Sequence, residues 1–203
     1  MMHKNVRGVL LAGGKSQRFG SPKAMALFQG KPYYSYSLEA LKSCKQTIIV
    51  SHPKLTAQFS SLTKLEVIED IPPYQGCGPL AGLHSAMSSS AAEWFATAPC
   101  DTPMIHQVIY DTLLEHIQNG YSAIIPIVHG KRQPLMGLYH RSCMPIIKDL
   151  LDEGLYRVGT LFERVKTSFI EDIRFEENSY WFLNINDEGE QRHLEELFNN
   201  KEL

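Results

Sequence analysis

The feature that most restricts what this chain can fold into is a rhythm in its first 128 residues. Short apolar runs alternate there with stretches of helical periodicity. The runs are VRGVLLA (residues 6–12), TIIV (47–50), LEVI (65–68), EWFATAP (93–99) and YSAIIPIV (121–128). Brief apolar runs of this kind suit strands covered on both faces. Between them, Tyr33, Tyr36, Ser37, Ala40, Leu41 and Cys44 share one helical face, and Ile105, Val108, Ile109, Leu113 and Ile117 share another. Alternating strands and helices build a parallel sheet with helices on both faces. The expected fold class is therefore α/β, in three layers. With 203 residues, 43% of them hydrophobic, the chain can bury one sizeable core, and a single domain over residues 1–203 is expected.

The later third is less regular. QPLMGLYH (133–140) reads as a strand after the turn signal HGKR, and residues 144–151 and 160–165 read as helices. TSFIED (167–172) and YWFLNIN (180–186) read as strands. Asp187 followed by Glu190 has capping-box spacing, and Leu194, Leu197 and Phe198 give the helix after it an apolar stripe.

The bulk numbers exclude several classes. A net charge of −2 argues against a general nucleic-acid binder, whose phosphate contacts need a basic surface. Cys44, Cys77, Cys100 and Cys143 are spread out with no CxxC pair, so neither a disulfide framework nor a zinc knuckle is indicated. The start MMHKNVR runs into a strand without a signal-peptide pattern, and no apolar run approaches a membrane span of about 18 residues. A cytoplasmic protein is expected, with no membrane partner.

The chemistry concentrates in VLLAGGKSQRFGSPKA (9–24). Its GGKS is not a Walker loop, because the first glycine of GxxxxGK[ST] would fall at Val9. The GxGxxG fingerprint fails too: Gly13 and Gly14 are adjacent and the next glycine is Gly20. Even so, two glycines directly after a strand let the backbone turn and offer bare N–H groups to an anion. Lys15, Arg18 and Lys23 follow as cations. A triphosphate would meet backbone donors on one side and charge on the other, at the strand end where open α/β sheets bind ligands.

In APCDTPMI (98–105), Thr102 and Pro103 read as the N-cap and first residue of a helix, leaving Asp101 at the strand end. A carboxylate beside a triphosphate suits Mg²⁺, which takes oxygen ligands from one or two carboxylates and from phosphates. GCGPLAGLHSAM (76–87) starts another helix, where Gly78 and Gly82 serve either close approach to a nucleotide or helix–sheet packing. Asp70 either accepts hydrogen bonds from a nucleoside or turns the chain before its prolines. Lys131, Arg132 and Gln133 read as an ordinary turn, His52, His84, His106, His129 and His140 lack metal-ligand spacing, and Tyr33, Tyr34 and Tyr36 read as helix packing.

Taken together, these segments resemble a known pattern. LAGGKSQRFGSPKA is similar to the nucleotidyltransferase signature LAGG-x-S-x-R-[MF]-G-x-x-K. GPLAGLHSAM, PCDTPMI and FLNIN narrow the resemblance to the molybdenum cofactor guanylyltransferase (MobA) family, over roughly residues 9–187. The resemblance implies a Rossmann-like nucleotidyltransferase fold. It also implies transfer of GMP from GTP to the phosphate of molybdenum-bound molybdopterin, with pyrophosphate release and a need for Mg²⁺. By motif, Leu11, Ala12, Gly13 and Gly14 would meet the nucleotide through the backbone and Asp70 would lie at the nucleoside, with Gly78 letting backbone approach a base or phosphate. Arg18 and Lys23 would neutralise the phosphates, Asp101 would hold Mg²⁺, and Asn184 and Asn186 would lie on the pterin side. The nucleotide part would occupy roughly 1–128 and the acceptor part 129–203, with transient contact to cofactor-carrying or acceptor proteins.

The sequence departs from the family in two places. Pro22 precedes Lys23 where Asp is more common, as in relatives that transfer CMP or act on sugar phosphates. Ser51 and His52 stand where an asparagine is usual. A CTP-dependent transferase is the competing enzymatic reading, and a non-catalytic nucleotide-binding partner protein the reading of another class.

Overall fold

The computed structural model describes residues 5–14, 22–118 and 120–200. The first five runs all become strands: β1 (Val6–Ala12), β4 (Gln46–Ser51), β5 (Glu66–Ile68), β6 (Trp94–Pro99) and β7 (Ala123–Val128). A two-residue ribbon, β2 (Leu27–Phe28) and β3 (Lys31–Pro32), lies outside the main sheet. The rest of the sheet comes from β8 (Lys131–Arg132), β9 (Leu138–His140) and β10 (Thr167–Glu171). The strand order is β10-β7-β9-β6-β1-β4-β5, with β8 on the far end of β7. All neighbours along this path are parallel except β9, which runs antiparallel to both β6 and β7.

Period-two alternation sends successive side chains to opposite layers. Val9, Ile48, Val50, Phe95 and Tyr139 face the layer of α3 (Pro79–Ser89), α5 (Cys143–Asp152) and α6 (Val158–Leu161). Leu10 and Ile49 face α2 (Pro53–Leu62), while Trp94, Ala96 and Leu138 face α1 (Tyr33–Ala40), α4 (Gln107–Glu115) and α7 (Ile173–Glu177). Phe59, Phe95 and Tyr110 are fully enclosed, each worth about 1.5–3 kcal/mol of burial. The expected three-layer α/β fold is the one observed.

Four expectations need correction. No helix starts at Thr102: α4 begins at Gln107, and His106 caps it by accepting the Val108 N–H on its ring nitrogen. Thr102 instead makes a turn, its carbonyl accepting from Ile105 N–H at 3.2 Å, while its hydroxyl is committed elsewhere. Residues 180–186 are not a strand. Ser179–Phe182 is a 3-10 turn, and the apolar run reflects Trp181 and Phe182 buried against the α4–α7 layer. Only Leu138–His140 of the run 133–140 pairs in the sheet, because Pro134, which has no N–H to give, opens a 3-10 turn at Pro134–Met136. The short helix lies at Val158–Leu161, not at 160–165. The capping signal near the end holds: Asp187 accepts from Gly189 and Glu190 N–H and starts α8 (Glu188–Asn199).

Candidate active site

The parallel register brings strand ends level. Leu11 lies beside Val50 on one side and Pro99 on the other, and Ala12 lies beside Ser51. The chain therefore leaves β1, β4 and β6 at one edge, the edge where open α/β sheets take ligands. A cleft of about 570 Å³ opens there. Its walls include Leu11, Gly13, Gly14, Asp70, Gly78 and Asp101, six of the residues singled out in the sequence. Ala12 turns its side chain into the core, and its carbonyl accepts from His52 N–H at 3.1 Å.

The glycines divide by role. Among the described residues, a Cβ placed on Gly13 or Gly14 would meet nothing within 4 Å, so none of these residues fills the space above either glycine. Gly82 is glycine for packing, since a Cβ there would come 2.9 Å from Leu11 Cδ2. Gly78 caps α3 with φ of 83°, a left-handed conformation that favours glycine.

Asp101 lines the cleft. Lys23 Nζ lies 3.4 Å from Asp101 Oδ2 and donates to Asn186 Oδ1 at 3.2 Å. Burial pushes the Asp101 carboxyl above its ordinary pKa, and the Lys23 charge opposes that rise. Burial also raises Asp70, which accepts from Gly76 N–H at 3.0 Å. The neighbouring Cys100 thiol is pushed up to about 12 by burial, with the Asp101 charge adding to it, and so stays protonated near neutrality. Asn184 accepts from the Thr102 hydroxyl at 2.6 Å, and Ile185 N–H donates to the Asp101 carbonyl at 2.8 Å. The late asparagines thus flank Asp101 although they are more than 80 residues away in sequence. Arg18 and Lys15 lie outside the described residues.

The donor set suits Mg²⁺ completed by substrate. Asp101 offers a carboxylate, a quarter exposed, in an open cleft. Its Lys23 contact is at the long end of hydrogen-bond range, so it leaves oxygen lone pairs for a cation. One carboxylate with phosphate oxygens and waters is a usual Mg²⁺ shell.

Some of the cleft was not foreseen. Pro53, Gln75 and Leu135 line it, as do Ser51 and His52. His52 caps α2, its Nδ1 accepting from Lys54 N–H at 3.2 Å. Since β4 neighbours β1, the strand-end rule alone points to VSHP. Nothing in the run QPLMG marks Leu135. Lys131 and Arg132 form a hairpin strand, with Arg132 over the Phe169 ring at 4.3 Å.

The chain is similar to known proteins over most of its length. The chain is 50% identical over 189 residues to a probable molybdenum cofactor guanylyltransferase of Halalkalibacterium halodurans, covering 92% of this chain and 96% of that one. It is 39% identical to a probable molybdenum cofactor guanylyltransferase of Bacillus cereus, covering 90% and 92%. In fold it matches molybdopterin-guanine dinucleotide biosynthesis protein A from Archaeoglobus fulgidus, with a TM-score of 0.82 over 96% of this chain and 99% of that one, at 24% identity. Residues 8–167 match the MobA-like NTP transferase domain, and the chain belongs to that family of nucleotidyltransferases.

Proposed function

We infer that this chain is a molybdenum cofactor guanylyltransferase: it transfers GMP from GTP to the phosphate of molybdenum-bound molybdopterin and releases pyrophosphate. The observation that carries the reading is the convergence of the glycine backbone after β1 and of Asp101, which Lys23 contacts, on one cleft. The relatives named above support the choice of substrates. The chain acts as one domain, its nucleotide side in residues 1–128 and its acceptor side in 129–203, with Asn184 and Asn186 toward the pterin. The reaction belongs to the cytoplasm, where cofactor-carrying and acceptor proteins meet the enzyme transiently.

The reaction is in-line attack of the acceptor phosphate oxygen on the α-phosphorus of GTP. Two anions must approach, so charge repulsion is the main barrier. Backbone N–H groups at Gly13 and Gly14 receive the phosphates, while Lys23 and Arg18 offset the charge that builds on the α-phosphate and on the leaving pyrophosphate. Asp101 would hold Mg²⁺, which would supply further neutralisation of the phosphate oxygens. Asp70 accepts hydrogen bonds from the nucleoside. No strong general base is needed, because the nucleophile is already an ionised oxygen.

The test is pyrophosphate release with the purified molybdenum cofactor, Mg²⁺ and either GTP or CTP. Release with GTP at least tenfold above CTP is expected. The reverse preference would replace the guanylyl reading by the cytidylyl one that Pro22 suggests. Binding of GTP without release in the presence of acceptor would favour a non-catalytic role.

A further inference from the structure

The matched family region ends at residue 167, yet the segment beyond it reaches back to the catalytic lysine. Lys23 opens a 3-10 turn, Lys23–Met25, that runs into the β2–β3 ribbon. A two-stranded ribbon is marginal alone, and this one belongs to no larger sheet. Its supports come from two helices. From α1, the Tyr33 N–H donates to the Ala26 carbonyl at 2.9 Å and the Tyr36 hydroxyl to the Phe28 carbonyl at 2.6 Å. From α8, the Gln191 amide donates to the Leu27 carbonyl at 2.9 Å and accepts from the Tyr33 hydroxyl at 3.0 Å. Leu194 of α8 is buried in one cluster with Phe28, Tyr33 and Ile185. The first turn of α8 also fixes the other side of the lysine. Glu190 accepts from Asn186 N–H at 2.6 Å, and Asn186 accepts from Lys23 Nζ.

We propose that Gln191 is a positioning residue for the transfer reaction: it bolts the ribbon into which the Lys23 turn runs to the helix that holds Asn186. The role rests on the nucleotidyl-transfer reading given above, but not on which base is used. It demands an amide specifically. The same side chain must accept from a phenol through oxygen and donate to a carbonyl through nitrogen. Its nitrogen also donates to Glu195 at 2.9 Å. A carboxylate of the same shape would face the Leu27 carbonyl and Glu195 with no proton to give. The Lys23 side chain is largely buried and tied to Asp101 and Asn186, so a shift of its turn strains or displaces the ammonium. Misplacements on the order of 1 Å are costly in transfer reactions.

The test compares Gln191→Glu and Gln191→Met with the wild type, alone and combined with Lys23→Ala. Measured are kcat/KM for GTP and for CTP, the calorimetric affinity for Mg²⁺–GTP and Mg²⁺–CTP, and the melting temperature. Both single variants should lose about tenfold in kcat/KM for whichever nucleotide the wild type uses. They should melt within a few degrees of the wild type, and the loss should shrink to less than twofold on the Lys23→Ala background. Gln191→Met keeps the packing volume, so it serves if Gln191→Glu folds poorly. Single-variant activity within twofold of wild type, or a loss that adds in full to that of Lys23→Ala, overturns the proposal. If CTP proves to be the substrate, the guanylyl reading falls, and the same comparison still judges Gln191. If the wild type turns over neither nucleotide, the transfer reading falls and the role proposed for Gln191 falls with it, whereas turnover by the wild type with unchanged variants removes Gln191 alone.

Discussion

Residues 9–14 and residues 184–186 both arrive at Asp101, by different routes. The first segment is the end of the central strand, tied on both sides by ladders six residues long. The second belongs to no sheet and is held by individual bonds: Thr102 to Asn184, Ile185 to the Asp101 carbonyl, and Lys23 and Glu190 to Asn186. Redundant ladders make the nucleotide edge hard to displace by one substitution. The acceptor edge can be loosened one bond at a time. Damage in the first region should therefore appear in chemistry, and damage in the second in docking and local stability.

The largest expected effect lies where the two regions meet. Asp101→Asn should cost about 10³-fold in turnover, since it removes the charge proposed to hold Mg²⁺. It should not lower stability. Burial raises the Asp101 pKa in the folded state, so its contribution to stability is full below the ordinary carboxylate range and is lost as pH rises through the raised value. In EDTA at neutral pH, Asp101→Asn should melt no lower than the wild type, and its melting temperature should fall less between pH 4 and 7. An early-melting variant would mean that the carboxylate supports the fold.

Thr102→Val tests the acceptor edge. Thr102 is fully buried, and the change deletes one hydroxyl while keeping the shape. The expected cost is about 1 kcal/mol by denaturant unfolding, with a several-fold rise in KM for the pterin substrate and KM for GTP unmoved. Equal rises in both would dissolve the distinction between the two edges. Asp187→Ala should do least. It leaves two N–H groups of α8 without their cap, and the loss should be about 0.5–1 kcal/mol with kcat within about twofold.

The same contrast explains what the sequence made legible. β1, β4, β5 and β6 are each followed along the chain by a covering helix, so local periodicity and global fold agree there. Periodicity alone then suffices to place the strand-end residues on one edge. Elsewhere the local signals lose to long-range partners. Thr102 has the letters of a helix cap, but its hydroxyl is claimed by Asn184, 82 positions away. YWFLNIN is apolar enough for a strand, yet its aromatics fill space under α4 and α7 while its asparagines turn toward Asp101. Motif resemblance named those asparagines, but no spacing rule foresaw Gln191. Its partners, Leu27 and Tyr33, precede it by more than 150 residues.

The antiparallel strand β9 has a consequence for how the chain is made. β6 and β7 are consecutive strands of the main sheet, but they do not touch: Leu138–His140 must slot between them. During synthesis the quartet β5-β4-β1-β6 is complete once Pro99 has emerged, whereas β9 follows about 40 residues later. At about 5–20 residues per second that is an interval of seconds. Throughout it, β6 presents a bare edge of aromatic and small side chains, the kind of edge that recruits a strand from another chain. A ribosome stalled after Pro99 has emerged and before Leu138 has would hold that edge bare.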